Sequence, residues 1–312
     1  MIARPTRLDW LGLLALGFMW GTSYVFIKIG VQTLPTFTLI AARLGIGLAL
    51  LAVVVYLARE ALPRSPRIYG HLLVMSLINI VIPFALITTA ERSVDSALAA
   101  ILNGAVPLFV IVFAALFLHD EPITVNRLVG LLIGYAGVVI LVSRSLGAGT
   151  SDSSLMGELA LLGSTAAYGI GAVYARRNVR GLRPMIPALF QVGFAFVIVA
   201  VIALVFEQPW TVSWNLDAIG SVVWLGIFGS GVAYLVNFRL LARLGATRTS
   251  LVAYLLPVVG IIAGAIVFRE TVDGRVILGT LFVIGGVALV NSRFGQRRLF
   301  GRTPPAAAAS EG

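Results

Sequence analysis

The sequence predicts an all-α polytopic membrane protein, with ten transmembrane helices arranged as two inverted five-helix repeats. Three observations carry this. Hydrophobic residues make up 59% of the 312 and charged residues only 12%, against about 25% charged in soluble domains. The apolar positions number about 184, and ten spans of about 20 residues hold about 200. The second half of the chain also repeats landmarks of the first at an offset near 149 residues. No water-soluble globule of this size hides so much apolar surface. A soluble enzyme, a nucleic-acid binder and a secreted disulfide scaffold are therefore excluded. The net charge of +10 reads, in a membrane protein, as basic cytoplasmic loops.

The spans follow in order. Leu11 to Gly30 comes first, after Arg4 and Arg7. It has no small-residue cleavage site, so it reads as an uncleaved helix and not a signal peptide. Thr33 to Ala58 contains Arg43, and His71 to Ala90 contains Pro83. Ser96 to Leu118 contains Pro107, and Val125 to Ser143 carries Gly130-x-x-x-Gly134. The polar stretch Gly147 to Ser154 separates the halves. Leu155 to Ala175, Met185 to Phe206 with Pro187, and Asp217 to Phe238 open the second half. Thr247 to Phe268 holds Pro257 and Gly260-x-x-x-Gly264, and Val276 to Ser292 closes it. The units are 8–144 and 155–293, and 294–312 reads as a disordered cytoplasmic tail.

Arginine placement sets orientation. Seventeen basic residues lie in the termini and even-numbered loops, and four in odd-numbered loops: Arg92, Arg144, Arg269 and Arg275. Lys28 and Arg43 lie within spans. This puts both termini in the cytoplasm of a bacterial inner-membrane protein. A reporter active only in the cytoplasm, fused at Gly312, gives signal, and one inserted within Gly147 to Ser154 gives none. The opposite pattern overturns the orientation.

The repeat is clearest between EPITVNRLVGLLIGYAGVVILVSR, from Glu121, and ETVDGRVILGTLFVIGGVALVNSR, from Glu270. Glu121/Glu270, Gly130/Gly279, Gly137/Gly286 and Arg144/Arg293 coincide. Upstream, Pro107 pairs with Pro257, Trp20-Gly21 with Tyr168-Gly169, and Lys28 with Arg176. Five spans per copy is an odd number, so the second copy enters the membrane from the opposite side. Inverted repeats of this kind place a substrate site near the midplane between the halves.

These landmarks resemble a family. Trp20-Gly21-Thr22-Ser23 followed by Lys28 resembles the WG-(S/T)-S…K opening of EamA domains. The segment around Arg43 is similar to that family's second helix, and Pro107 with Glu121, repeated as Pro257 with Glu270, to the close of its fourth. The second copy departs, with Tyr168 in place of the tryptophan and Arg176 in place of the lysine. The resemblance covers nearly the whole chain. It implies the drug/metabolite transporter superfamily and movement of a small metabolite, often export.

Candidate site residues are charged, polar or aromatic groups at membrane depth. Arg43, about ten residues into its span, is costly in lipid, ~2.5–3.5 kcal/mol on insertion scales. It either binds a carboxylate or phosphate of the substrate or ties helices through backbone carbonyls. Lys28, the chain's one lysine, reads as a gate or cavity residue, and Arg176 as a headgroup anchor. Trp20, Tyr24, Asn79, Asn103, Tyr168, Gln191, Tyr234, Asn237 and Tyr254 complete the candidates, about half of which should face the substrate path. Pro107 and Pro257 are candidate hinges. Glu121 and Glu270 read as tethers of helix ends. The two Gly-x-x-x-Gly motifs serve packing within the fold first, and a homodimer seam second.

No cysteine and only His71 and His119 are present, so no metal, cofactor or thiol chemistry is expected. No acid pairs with a base as a catalytic set would, and no GxxxxGK(S/T) loop is present. A secondary transporter is the leading reading. A membrane enzyme or an inner-membrane receptor or structural protein are the alternatives. Every acid falls in a loop or at a helix end, so no buried carboxylate is expected to carry a proton, and transport is expected to run as facilitated diffusion or exchange, unless the substrate carries the proton or Glu121 or Glu158 lies deeper.

Overall fold

The computed structural model describes residues 6–118, 123–143, 152–179, 182–183, 185–244, 249–292 and 298–300. Ten long helical segments run through them, and the chain is an all-α polytopic membrane protein. The first is α1, Arg7–Gly30. A capping box opens it: Thr6 Oγ1 accepts from Asp9 N, and the Asp9 carboxylate accepts from Thr6 N at 2.9 Å. Next is α2, Thr36–Leu57, entered through Pro35. The third, α3, covers Pro66–Ala90. Its middle, Leu77–Val81, is wound as a π-helix, with Ile82 N–H bonding Leu77 O five residues back. Pro83 follows at once. Its ring leaves no N–H to donate and crowds the preceding turn, and the wider π spacing absorbs the mismatch.

The fourth helix, α4, covers Ser96–Phe117 in two pieces. Ser96–Gly104 ends at Ala105 (φ −81°, ψ 0°), and Val106–Phe117 restarts with Pro107 in its first turn. The expected hinge is thus a break in α4. Pro257 instead lies inside a continuous helix, so the two equivalent prolines are not structurally equivalent. Then come α5, Val125–Val142, and α6, Asp152–Asn178. The seventh, α7, covers Met185–Glu207, with Pro187 in its first turn, where no intrahelical N–H is needed. The eighth, α8, is built from Leu216–Trp224, a π segment Leu225–Val232 and Ala233–Leu244. The last two are α9, Val252–Phe268, and α10, Gly274–Asn291. Residues 247 and 248, the start of the expected ninth span, lie outside the described residues.

Eight of these helices are long and apolar enough to cross a membrane, and α9 is a shorter apolar helix. α6 is long but carries Ser164, Thr165, Tyr168 and Tyr174 along its length. Large side chains such as Leu132, Val139, Val201, Leu204, Ile262 and Ile266 are exposed. A water-soluble surface does not tolerate this, and a lipid-facing one requires it.

Packing couples the halves. α5 lies along α10, α4 crosses α9, and α2 lies against α7. α2 also meets the π segment of α8, α7 meets α3, α1 meets α9 and α8, and α6 meets α4 and α3. Glycines permit the tightest crossing: Gly130 and Gly134 of α5 face Gly286 and Val290 of α10. Gly260 meets Ala100, and Gly264 lies beside Glu270. Both Gly-x-x-x-Gly motifs are thus used inside the fold. Ile123–Thr124 pairs antiparallel with Arg298–Phe300, three residues within the segment read as a disordered tail. The rest of that segment, together with His119, Glu121 and most of Gly147 to Ser154, lies outside the described residues.

Candidate functional site

Arg43 occupies the middle of α2 and is 4% exposed. Its Nε donates to Ser230 Oγ at 3.2 Å, and its guanidinium carbon stands 4.4 Å from the centre of the Phe84 ring. Gly229, in the π segment of α8, makes room: a Cβ there would lie 3.1 Å from Arg43 Nη2 and 3.0 Å from Ser23 Oγ. Trp20 Nε1 donates to the Gly229 carbonyl at 3.2 Å and meets Tyr234 edge-on, with ring centres 6.3 Å apart. Tyr24, Tyr168, Tyr234 and Glu91 lie within electrostatic reach of the guanidinium. No carboxylate is within ion-pairing distance of it among the described residues. Trp20, Tyr24, Arg43, Tyr168 and Tyr234, far apart in sequence, thus form one centre built from α1, α2, α6 and α8.

A second polar contact has a related form. Asn79, in the π segment of α3, donates to Gln191 Oε1 on α7 at 3.4 Å, and Gly171 of α6 lies against Asn79. Gln191 follows Arg43 by 148 residues, the offset of the early repeat landmarks. Each side chain on α2 or α7 therefore reaches a π segment in the opposite half. Such segments recur at functional sites because they leave carbonyls without the usual helical donor.

Other expected site residues are engaged elsewhere. Asn103 is 3% exposed but donates to Ala99 O at 3.1 Å and accepts from Ser164 Oγ at 3.2 Å, tying α4 to α6. Tyr254 Oη accepts from Asn291 Nδ2 at 3.1 Å, tying α9 to α10. Asn237 is half-buried on α8 and has no hydrogen bond linking it to the Arg43 centre among the described residues. A polar side chain at membrane depth needs only some partner, and the nearest helix supplies one as readily as a cavity does.

Lys28 closes one end of the molecule. Its Nζ donates to Val94 O at 2.7 Å and lies 3.5 Å from Asp95 Oδ1 and 3.9 Å from Glu270 Oε1. Glu270 caps α4, accepting from Ser96 N and Ala97 N at 2.9 Å each and from Ser96 Oγ at 2.8 Å. Glu207 caps α2 in the same way, accepting from Phe37 N at 3.0 Å and Thr38 N at 2.7 Å. A carboxylate on the first amides of a helix is held by hydrogen bonds and by the helix dipole. Both acids belong to the second half and both caps to the first, so they fasten the halves together at this end. Glu270 is thus a tether, as its position at the end of a span implied. A cleft of about 240 Å³ opens here, lined by Lys28, Val31, Gln32, Glu91 and Arg92. At the other end Asp9 Oδ1 pairs with Arg243 Nε at 3.0 Å.

The expectation that no buried carboxylate is available to carry a proton is corrected, at Glu91 and at Glu158, whose depth the sequence left open. Glu91 is 1% exposed and Glu158 2%. Glu91 does stand at a helix end, as the C-cap of α3, but that end is folded beneath Lys28. Position along a span and depth in the protein are separate quantities. Phe84, Gly229 and Ser230 were also missed. The Gly229-Ser230-Gly231 run, three small residues inside an apolar span, was the available sign of a close approach.

This arrangement defines a class, a polytopic α-helical membrane protein with a buried cation and aromatic rings at its centre. A family model described as the EamA-like transporter family matches residues 9–143 and again 155–292. The chain belongs to that family and is a membrane transporter. It is 24% identical over 289 residues to the uncharacterized transporter YoaV of Bacillus subtilis, covering 93% of this chain and 98% of that one. It is 27% identical over 282 residues to the uncharacterized inner membrane transporter YedA of Escherichia coli, covering 89% of each. A solved crystal structure superposes with a TM-score of 0.66 at 23% identity, over 91% of this chain and 96% of that one. This last likeness concerns the fold alone.

Proposed function

We propose that this protein is a secondary transporter of the bacterial inner membrane that exports a small, carboxylate-bearing metabolite, such as an amino acid or a drug-like acid, by alternating access. One observation carries the reading: Arg43 is buried with one side-chain hydrogen bond and, among the described residues, no carboxylate within ion-pairing distance. A guanidinium has five donors in a planar fork that matches a carboxylate. A substrate carboxylate between Arg43 and the rings of Trp20, Tyr24, Tyr168 and Tyr234 supplies the missing counter-charge, and the rings cover its apolar part.

Alternating access draws support from the paired contacts. α2 against α8 and α7 against α3, or α1 against α9 and α6 against α4, are the contacts two equivalent five-helix units make when they exchange roles. In this reading 8–144 and 155–293 are inverted repeats, both termini are cytoplasmic, and the Lys28 end faces outward. Among the described residues, ties between loops join loops of one parity, as Arg183 to Glu60 at 2.9 Å does, which fits two separate sides. A screen for metabolite resistance in overexpressing cells names candidate substrates. Flux of such a compound into proteoliposomes, above that of protein-free vesicles, is the expected result. Absence of flux for every compound that the screen returns overturns the proposal.

A further inference from the structure

The carboxyl of Glu91 is packed beneath the Lys28 end with no hydrogen-bond partner for either oxygen. The groups facing it come from several elements. Lys28 and Tyr24 stand on α1, Arg43 on α2 and Glu270 beyond α9, all within electrostatic reach. Arg92 and Asp95 lie on its own loop. The Lys28 amine is already engaged by Val94 O, Asp95 and Glu270, and Arg92 Nη2 donates to Leu34 O at 3.0 Å. A carboxylate this buried, neither hydrogen-bonded nor ion-paired, is strongly disfavoured, and the neutral acid costs far less. Burial pushes the Glu91 carboxyl well above the usual range. Lys28 and Arg43 pull it down, and Glu270 pushes it further up. Glu91 also lines the cleft that holds Gln32 and Arg92, so a small movement separates the carboxyl from water.

We infer that Glu91 is a proton-binding site of the transport cycle, carrying a proton while the Lys28 end is closed and releasing it to the solution on that side when that end opens. The inference rests on the alternating-access reading above. On opening, the carboxyl O–H gives its proton to water and leaves a carboxylate. The new charge competes with Asp95 and Glu270 for Lys28, weakens the closure and favours the open form. Protonation from the same solution reverses each step, so proton uptake closes this end and proton release opens it. The closed form binds the proton more tightly. Closure is therefore fully present at low pH and is lost as pH rises through the raised value.

The chain has no cysteine, so Val31→Cys, at a cleft-lining residue only 7% exposed, places a single thiol that is covered while this end is closed. Its maleimide labelling rate is measured in lipid nanodiscs and divided by that of the denatured protein at the same pH, which cancels thiol ionisation. The corrected rate is expected to rise with pH by up to about tenfold per unit across the transition, and to stay flat and low with Glu91→Gln added. Infrared difference spectra over the same titration are expected to lose the carbonyl stretch of a protonated carboxyl, a band absent from Glu91→Gln. Should that variant fail to accumulate, Glu91→Asp keeps the band at a shifted frequency. A labelling profile unchanged by Glu91→Gln, a band that survives the substitution, or no such band at all overturns the inference. Neither readout uses a transport substrate, so failure here is distinct from failure of the flux assay.

Discussion

Arg43→Gln is expected to lower substrate flux about 10- to 100-fold while the protein still reaches the membrane and stays folded. The size follows from losing a charge-assisted, two-pronged contact worth about 1.5–3 kcal/mol. The effect falls mainly on the substrate concentration needed for half-maximal flux. Arg43→Lys is expected to recover only part of it, because an ammonium keeps the charge but cannot span both carboxylate oxygens. Flux in proteoliposomes, with size-exclusion chromatography as the check on folding, decides this. If both variants fail to accumulate, Arg43 is a structural tie through Ser230 and Phe84, and the site loses its anchor. A fully active Arg43→Gln disposes of both readings.

Gly286→Ala is expected to be the most damaging small substitution in the membrane core. A Cβ at Gly286 would lie 2.5 Å from the Cα and N of Gly134 and 2.6 Å from the Gly130 carbonyl oxygen. These are backbone atoms of the facing helix, which cannot rotate aside as a side chain can. α5 and α10 must therefore separate, at about 1–3 kcal/mol or more. Gly285→Ala is the control on the same helix, since a Cβ there meets nothing within 4 Å. Thermal unfolding of the detergent-solubilised protein should show a clear fall for Gly286→Ala and little change for Gly285→Ala. Equal midpoints would show that the two helices are not held at this distance.

Much of the architecture was legible because membrane helices announce themselves. The spans could be bounded to within a few residues, since a break in apolar sequence must coincide with an exit from lipid. Pro83 and Pro107 mark a π segment and a break in α4. The π segment in α8 contains no proline and was not visible. The site was less legible. Arg43, Trp20, Tyr24, Tyr168 and Tyr234 were named as candidates and do come together, but Asn103 and Tyr254, chosen on the same grounds, tie neighbouring helices.

The sequence by itself determined the class of protein, the number and limits of its helices, the correspondence between its halves and the buried position of Arg43. Each follows from composition, length or the cost of a charge in lipid. Only the tertiary structure decided which polar groups come together, that Glu207 and Glu270 fasten one half to the other, and that Glu91 is enclosed. The reason lies in the solvent. In water a helix shows its inner face by its apolar stripe. In a bilayer the lipid is as apolar as the protein interior, so both faces read alike, and the packing of helix on helix alone assigns them.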